Sequence, residues 1–362
     1  MDLAPTGLPP DRGRRMIAYA IIGCGRIFPN HAASVQANEH ARLVAVADIR
    51  PGPLGRAASQ FNADPYDDYE EMLRRPDIDA VSVCLPHHLH EPAVLAAARA
   101  GKHVLCEKPI ALDREQALRM IEACRSAGVK LGIVLQNRYN EATGKVLRAL
   151  GEGRFGALVA GSMLQAVHKD PSYYQDDWHG RWATEGGGAL LTQSIHSLDL
   201  LCLFLGRPAG VKAYFNTLIH DIEVEDVCSA SIRFENGAAA GATVSNCALG
   251  QWSQRIDVIG TRGTVTVEDN RITRWDFADA RPEDGEIGNE DALEKGIGAR
   301  GYGAGHPRII NDFISSIIED RPFPVSGEEA LKVSEVIWAA YRSSRSGDEQ
   351  KITCPQPQRT EA

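Results

Sequence analysis

The hydrophobic pattern divides the chain in two. As far as residue 137, short apolar runs alternate with amphipathic stretches: MIAYAII (16–22), RLVAVADI (42–49), DIDAVSVCLP (77–86), KHVLCEKP (102–109) and VKLGIVLQ (129–136). Runs this short and continuous read as strands buried on both faces. The helical spacing between them, as in EPAVLAAARAG and DREQALRMIEACRSAG, predicts crossover helices and a doubly wound parallel sheet. Asp113, ahead of Glu115 and Gln116, predicts an N-cap, and Gly128 a stop. Beyond Arg138 the period changes. One amphipathic helix, RYNEATGKVLRALGEG, leads into alternating segments such as GVKAYFNTL and QRIDVIGTRGTVTVEDN, with ENG and TRG as hairpin turns. An antiparallel meander is expected there, one face on helices and the other free.

The expected fold class is α/β: an N-terminal Rossmann doubly wound sheet plus a C-terminal α+β domain with a large, mostly antiparallel open sheet. The boundaries read as a disordered tail over 1–14, a dinucleotide-binding domain over 15–137, a substrate-binding and oligomerisation domain over 138–350, and a tail over 351–362. The first strand runs into AIIGCGRI. Gly23 permits a tight turn, and Gly25 lets backbone approach a pyrophosphate at a helix N-terminus, flanked by Arg26 and Ile27. Phe28 stands where a third glycine or alanine is usual, which predicts a slightly displaced helix. Asp48, at the end of the second strand, can accept hydrogen bonds from an adenosine ribose and repel a 2′-phosphate. NAD is therefore read in preference to NADP, with Arg50 the residue that would favour NADP. Leu85, Pro86, Glu107, Lys108 and Gln136 fall at strand carboxyl ends, where such sheets bind their ligands.

Composition narrows the class further. A net charge of -9 disfavours nucleic acid or an anionic membrane as partner, and no apolar run is long enough to span a bilayer. None of the eight cysteines forms a C-x-x-C pair, so they read as free thiols in a cytoplasmic protein, and no metal site is read. Arg14-Arg15 faintly mimics a twin-arginine signal, but the apolar run behind it is a strand.

EGGGALLTQSIHSLDLL (185–201) is the unusual stretch. Three glycines precede a helical pattern over 189–205 that carries Thr192, His196 and Asp199 near one face. The glycines are expected to let backbone approach cofactor or substrate. The aromatic- and histidine-rich loop VHKDPSYYQDDWHGRW offers His168, Lys169, Tyr174, Trp178 and His179 to a sugar, or alternatively packs at an oligomer interface. Arg138 is a candidate grip for a substrate phosphate or carboxylate. His306, after GARGYGAGH, is a candidate to close the pocket, and residues 278–304 read as a mobile flap.

Lys108 alone reads most simply as a surface lysine beside Glu107. However, AIIGCGRI, VCLPHHLH, AGKHVLCEKPIAL, GGGALLTQSIHSLDLL and HPRIINDFISSIIEDRPFPVSGEEALKVSEVIWAAYRSS, in this order, resemble the glucose–fructose oxidoreductase / inositol dehydrogenase / MocA family of sugar dehydrogenases. The resemblance runs from about Arg15 to Gly347. It implies a catalytic lysine at Lys108, with a cis peptide to Pro109, and a catalytic histidine at His196. It also implies that His90 matches the cofactor-loop pattern, where His87 departs from it. The expected chemistry is NAD-dependent oxidation or reduction of a ring hydroxyl of a sugar, sugar derivative or cyclitol. Lys108 would hold the oxygen and His196 would take the proton. The family's usual Asp one turn before the histidine is Thr192 here, and Asp199 is at most a support. Two alternatives stay open: an NAD-retaining glycosidase or lyase, and a non-catalytic NAD sensor. A homodimer or homotetramer through the C-terminal sheet is expected.

Overall fold

The computed structural model describes residues 15–250, 253–285 and 305–353. The expected tail over 1–14, most of the one expected over 351–362 and most of the flap expected over 278–304 lie outside them; Lys351 belongs not to a tail but to a short last strand. The first layer comprises β1 (Ile17–Ile22), α1 (Phe28–Gln36), β2 (Ala41–Ala47), α2 (Pro51–Phe61), β3 (Asp64–Tyr66), α3 (Tyr69–Leu73), β4 (Ala80–Val83), α4 (His90–Arg99), β5 (His103–Cys106), α5 (Arg114–Ser126) and β6 (Leu131–Ile133). The sheet order is β3-β2-β1-β4-β5-β6, all pairs parallel. Ile21, Ile22, Val81, Val83 and Leu105 are almost wholly buried, as the unbroken apolar runs require. Each such side chain contributes about 1.5–3 kcal/mol by leaving water. The strand order reverses between β1 and β4, so a crevice opens at their carboxyl ends. The Asp113 carboxylate caps α5 by accepting the Gln116 amide at 2.8 Å, and Gly128 follows the helix at φ +67°.

The second layer begins with α6 (Glu141–Gly151) and β7 (Leu158–Ala166). It continues with α7 (Ile195–Leu205), β8 (Pro208–Asn216), β9 (Val227–Phe234), β10 (Ala239–Ser245), β11 (Ser253–Gly260), β12 (Gly263–Glu268) and β13 (Arg271–Phe277). It ends with α8 (Gly305–Ile318), α9 (Gly327–Ser346) and β14 (Gln350–Lys351). Its sheet runs β13-β12-β11-β7-β10-β9-β8-β14. This is not the expected simple meander. β7 enters the middle, antiparallel to β11 but parallel to β10, because 72 residues (167–238) separate it from β10 and return the chain in the same direction. The hairpins at Asn236-Gly237 and Thr261-Arg262 form as read. α7 and α9 cover one face. The other is open and carries Val159, Leu164, Tyr214 and Ile259 exposed.

The layers are laced together. α8 packs on α1, and Ile133 donates its amide to Val325 at 2.9 Å, so the C-terminal stretch before α9 closes over the edge of the first sheet. Residues 278–285 are not a free flap. Arg154 grips Asp284 with both terminal nitrogens (2.8 and 2.7 Å), and the Trp275 indole donates to the same carboxylate at 2.7 Å. No helix among the described residues is long and apolar enough to cross a membrane.

Candidate active site

The nucleotide end is built by the turn after β1. Gly23 sits at φ +100°, and a Cβ there would fall 2.3 Å from the Cys84 carbonyl oxygen, so this turn fits against β4 only as glycine. At Gly25 a Cβ would meet nothing closer than Arg50 at 3.8 Å, which leaves the space before α1 open. Phe28 does not obstruct it, because its ring turns away onto Phe61 of α2 at 5.5 Å. Asp48 accepts the Cys24 and Arg50 amides, each at 2.8 Å, and the Arg50 guanidinium folds onto it at 3.1 Å. Burial pushes the Asp48 carboxyl up, but these donors outweigh it and hold the group below its ordinary value.

Lys108 lies at the carboxyl end of β5, before a cis peptide to Pro109. Its ammonium reaches into the second layer and donates to the Thr192 carbonyl at 2.8 Å. The 189–205 pattern is not one regular helix. A single wide π-turn, Ala189–Gln193, precedes α7, and Thr192 sits on that turn. Such turns redirect backbone carbonyls, and here one receives the lysine. Burial lowers the Lys108 pKa, opposed by the charges of Glu107 and Glu185. His196, in the first turn of α7, is pushed down to about 3 by burial and by Lys108, so the imidazole is neutral. Its Nδ1 is buried with no hydrogen-bond partner among the described residues.

Three residues of this centre were not anticipated from the sequence. Glu185 is buried, accepts the Gly180 amide, and is pushed up to about 7 by burial, against the Gly180 hydrogen bond and the neighbouring Thr192 hydroxyl, which itself donates to the Gly187 carbonyl at 3.1 Å. His31, on α1, links Ser82 (2.8 Å) to Glu107 (2.9 Å), and Tyr19 meets Ser82 at 2.9 Å. A neutral His31 that donates from Nε2 to Glu107 and accepts from Ser82 satisfies this chain. Glu225 accepts the Gly188 and Leu190 amides and the Tyr341 hydroxyl, pinning the π-turn. The sequence signal for Glu185 was its place directly before the glycines; His31 and Glu225 carried none.

Several expected roles change. The glycines are required by close packing against the chain itself. A Cβ on Gly186 would strike Leu112, one on Gly187 the Tyr341 hydroxyl, and one on Gly188 the Glu225 carbonyl. His90 is fully buried with its ring nitrogens 2.8 and 2.9 Å from the Pro109 and Leu85 carbonyl oxygens, so it tethers two loops and does not face the crevice. Leu85 and Pro86 are half-buried at the crevice edge. Arg138 is not open to a substrate anion, because Asp199 holds it through two bonds of 2.7 and 2.6 Å, with Glu329 at 3.6 Å. The same pair removes Asp199 from His196. His306 is buried, 3.5 Å from Glu107 and edge-on to His31 at 5.7 Å. His179 binds Asp176 and stacks with Trp178 at 3.6 Å, and Trp178 in turn meets His87 at 5.0 Å. Tyr174 accepts from Asn246 at 3.0 Å and packs on His220. His168 is exposed. Gln136 keeps a buried Oε1 with no hydrogen-bond partner among the described residues.

A six-stranded sheet of this order, a glycine turn facing a strand-end aspartate, and a lysine and histidine between two layers define a dinucleotide-dependent oxidoreductase. The comparisons agree. Residues 17–134 match the oxidoreductase-family model with an NAD-binding Rossmann fold, and residues 144–266 match the GFO/IDH/MocA C-terminal domain. The chain belongs to the Gfo/Idh/MocA oxidoreductase family. It superposes on the WlbA dehydrogenase of Bordetella pertussis, solved with NADH and UDP-GlcNAcA, with a TM-score of 0.88 and 33% identity over 94% of this chain and 99% of that one. It is 29% identical to an inositol 2-dehydrogenase of Rhizobium meliloti over 90% of this chain and 96% of the relative. It is also 39% identical to a 1,5-anhydro-D-fructose reductase of Ensifer adhaerens, over 47% of this chain and 51% of that protein.

Proposed function

We propose that the protein interconverts a ring hydroxyl and a ketone on a sugar, sugar derivative or cyclitol, with NAD as the redox partner. The observation that carries this reading is the Lys108 ammonium spanning the two layers to the Thr192 carbonyl, one turn before His196. NAD, when bound, supplies the hydride-accepting ring. The glycine turn, Asp48 and Gln136 would hold it; the open space at Gly25 and the orphaned Gln136 Oε1 support that fit.

The ammonium spends one N–H on Thr192 and has two left for the substrate oxygen, whose developing negative charge it stabilises. His196, neutral at rest, accepts the hydroxyl proton, but burial and Lys108 oppose a lasting imidazolium. Glu185, with its pKa near 7, can carry a proton at neutral pH, and it neighbours Thr192, whose carbonyl receives the lysine. A carboxylate is thus supplied from seven residues before Thr192, in place of the aspartate missing at 192. The exposed apolar residues of the open sheet face support pairing with a second copy, which solution mass would test.

The test is incubation of the purified protein with NAD and a panel of myo-inositol, free hexoses and UDP-linked sugars, following NADH and product. NADH formation is expected. Product without NADH would favour a redox-neutral reaction, and no reaction of any kind would contradict the reading.

A further inference from the structure

A second lysine faces the same centre. Lys169, three residues beyond β7, is half-buried and its backbone is pinned on both sides: its amide donates to Asn246 at 3.0 Å, and its carbonyl accepts His220 Nε2 at 2.8 Å. Its ammonium has no hydrogen bond or ion pair among the described residues. It lies 4.5 Å from the centre of the Tyr173 ring. Arg26, from the glycine turn of the first layer, lies 5.6 Å from that ring centre. The ring is oriented by Gln193, which donates to its hydroxyl at 3.1 Å.

The charge balance around this lysine is one-sided. Burial and the like charges of Arg26 and Lys108 lower its pKa to about 8, and the opposing charge comes from Glu185, which itself holds a proton for part of the time at neutral pH. A partly desolvated cation without a counter-ion is costly, and a cation–π contact offsets only about 0.5–2 kcal/mol of that. In a chain of net charge -9, Arg26 and Lys169, gathered around one ring beside the Lys108–Glu107 pair and with only the weak acid Glu185 opposing Lys169, invite an anion. The cofactor's phosphates belong with Arg26 and the glycine turn. Lys169 stands in the other layer, on the Tyr173 ring that Gln193 of the π-turn holds.

We infer that Lys169 binds an anionic oxygen group, a carboxylate or a phosphate ester, carried by the substrate, so that the sugar oxidised at Lys108 is an acidic one. This rests on the redox reading above and names the substrate class of that same site.

The experiment saturates the protein with NADH and titrates the sugar panel, each neutral sugar beside its uronate and its phosphate ester, following bound-NADH fluorescence. NAD reduction is measured on the same compounds. At least one acidic member should bind about tenfold or more tightly than its neutral partner, and whichever acid it is identifies the anion. Lys169→Met should abolish that preference while NADH affinity stays within about twofold, and Lys169→Arg should restore part of it. Equal behaviour of neutral and acidic members throughout, absence of binding included, overturns the proposal, as does a preference that survives in Lys169→Met. NADH produced from neutral sugars alone would overturn it while leaving the redox reading intact. An acid preference in binding with no NADH from any sugar would do the reverse.

Discussion

Glu107 and Glu185 flank the same ammonium from opposite layers, and they behave differently. Both are buried, and burial alone pushes each carboxyl up. Glu107 meets His31 at 2.9 Å and has His306 at 3.5 Å, and these neighbours overcome desolvation and hold it well below the usual carboxylate range. Glu185 has one amide as donor and a hydroxyl nearby, both neutral, and Lys108 only at longer range, so it rises to about 7. What decides between a fixed counter-charge and a proton carrier is the donor set, not the residue type. Lys108 thus has a permanent anion in the first layer and a titrating one in the second.

The largest effect is expected at the shared partner. Lys108→Met should lower kcat by about 10³-fold or more while NADH affinity changes little, because the side chain acts on the reacting oxygen. Glu107→Gln should come next, with a loss of about 10–100-fold. It removes the fixed negative charge that raises the Lys108 pKa, so the ammonium deprotonates at lower pH and the alkaline limb of the rate profile moves down.

Glu185→Gln should cost about tenfold, and the profile should lose an inflection near pH 7. The same variant reports on stability. Glu185 and Glu225 are both pushed up to about 7 from an ordinary 4.5. Each retains its proton on folding, so its contribution is complete below about pH 4.5 and is lost as the pH rises through 7. The loss is on the order of 1–3 kcal/mol per group. Glu185→Gln should therefore flatten part of the fall in Tm between pH 5 and 8. The smallest effect is expected for Thr192→Val, which withdraws a polar neighbour that lowers the Glu185 pKa: the inflection should move upward by a fraction of a unit, with a loss of a few-fold. An inflection that stays fixed would separate Thr192 from Glu185.

The same contrast explains how far the sequence could be read. The first layer was legible because a doubly wound sheet writes each buried strand as an apolar run and each crossover as a helical period. β3 escaped, since Asp64-Pro65-Tyr66 is a three-residue edge strand with no apolar signal. In the second layer the alternation showed strands, but not that β7 pairs in parallel with β10. Lys108 and His196 were legible through motif. Their surroundings were not, because they are non-local. Glu107 is tuned by residues 76 positions before and 199 after it, and Arg138 is neutralised by an aspartate 61 residues away. The glycines at 186–188 were read for a ligand when their neighbours are Leu112, Tyr341 and Glu225, three segments distant in sequence.

Chemical rescue of the lysine tests the central claim most directly. With Lys108→Ala, NAD and a turned-over sugar, added methylammonium should restore turnover by about tenfold or more without altering NADH affinity, because a free ammonium can occupy the place between Thr192 and the substrate oxygen. Full activity without the amine, or no recovery while NADH still binds, would contradict it.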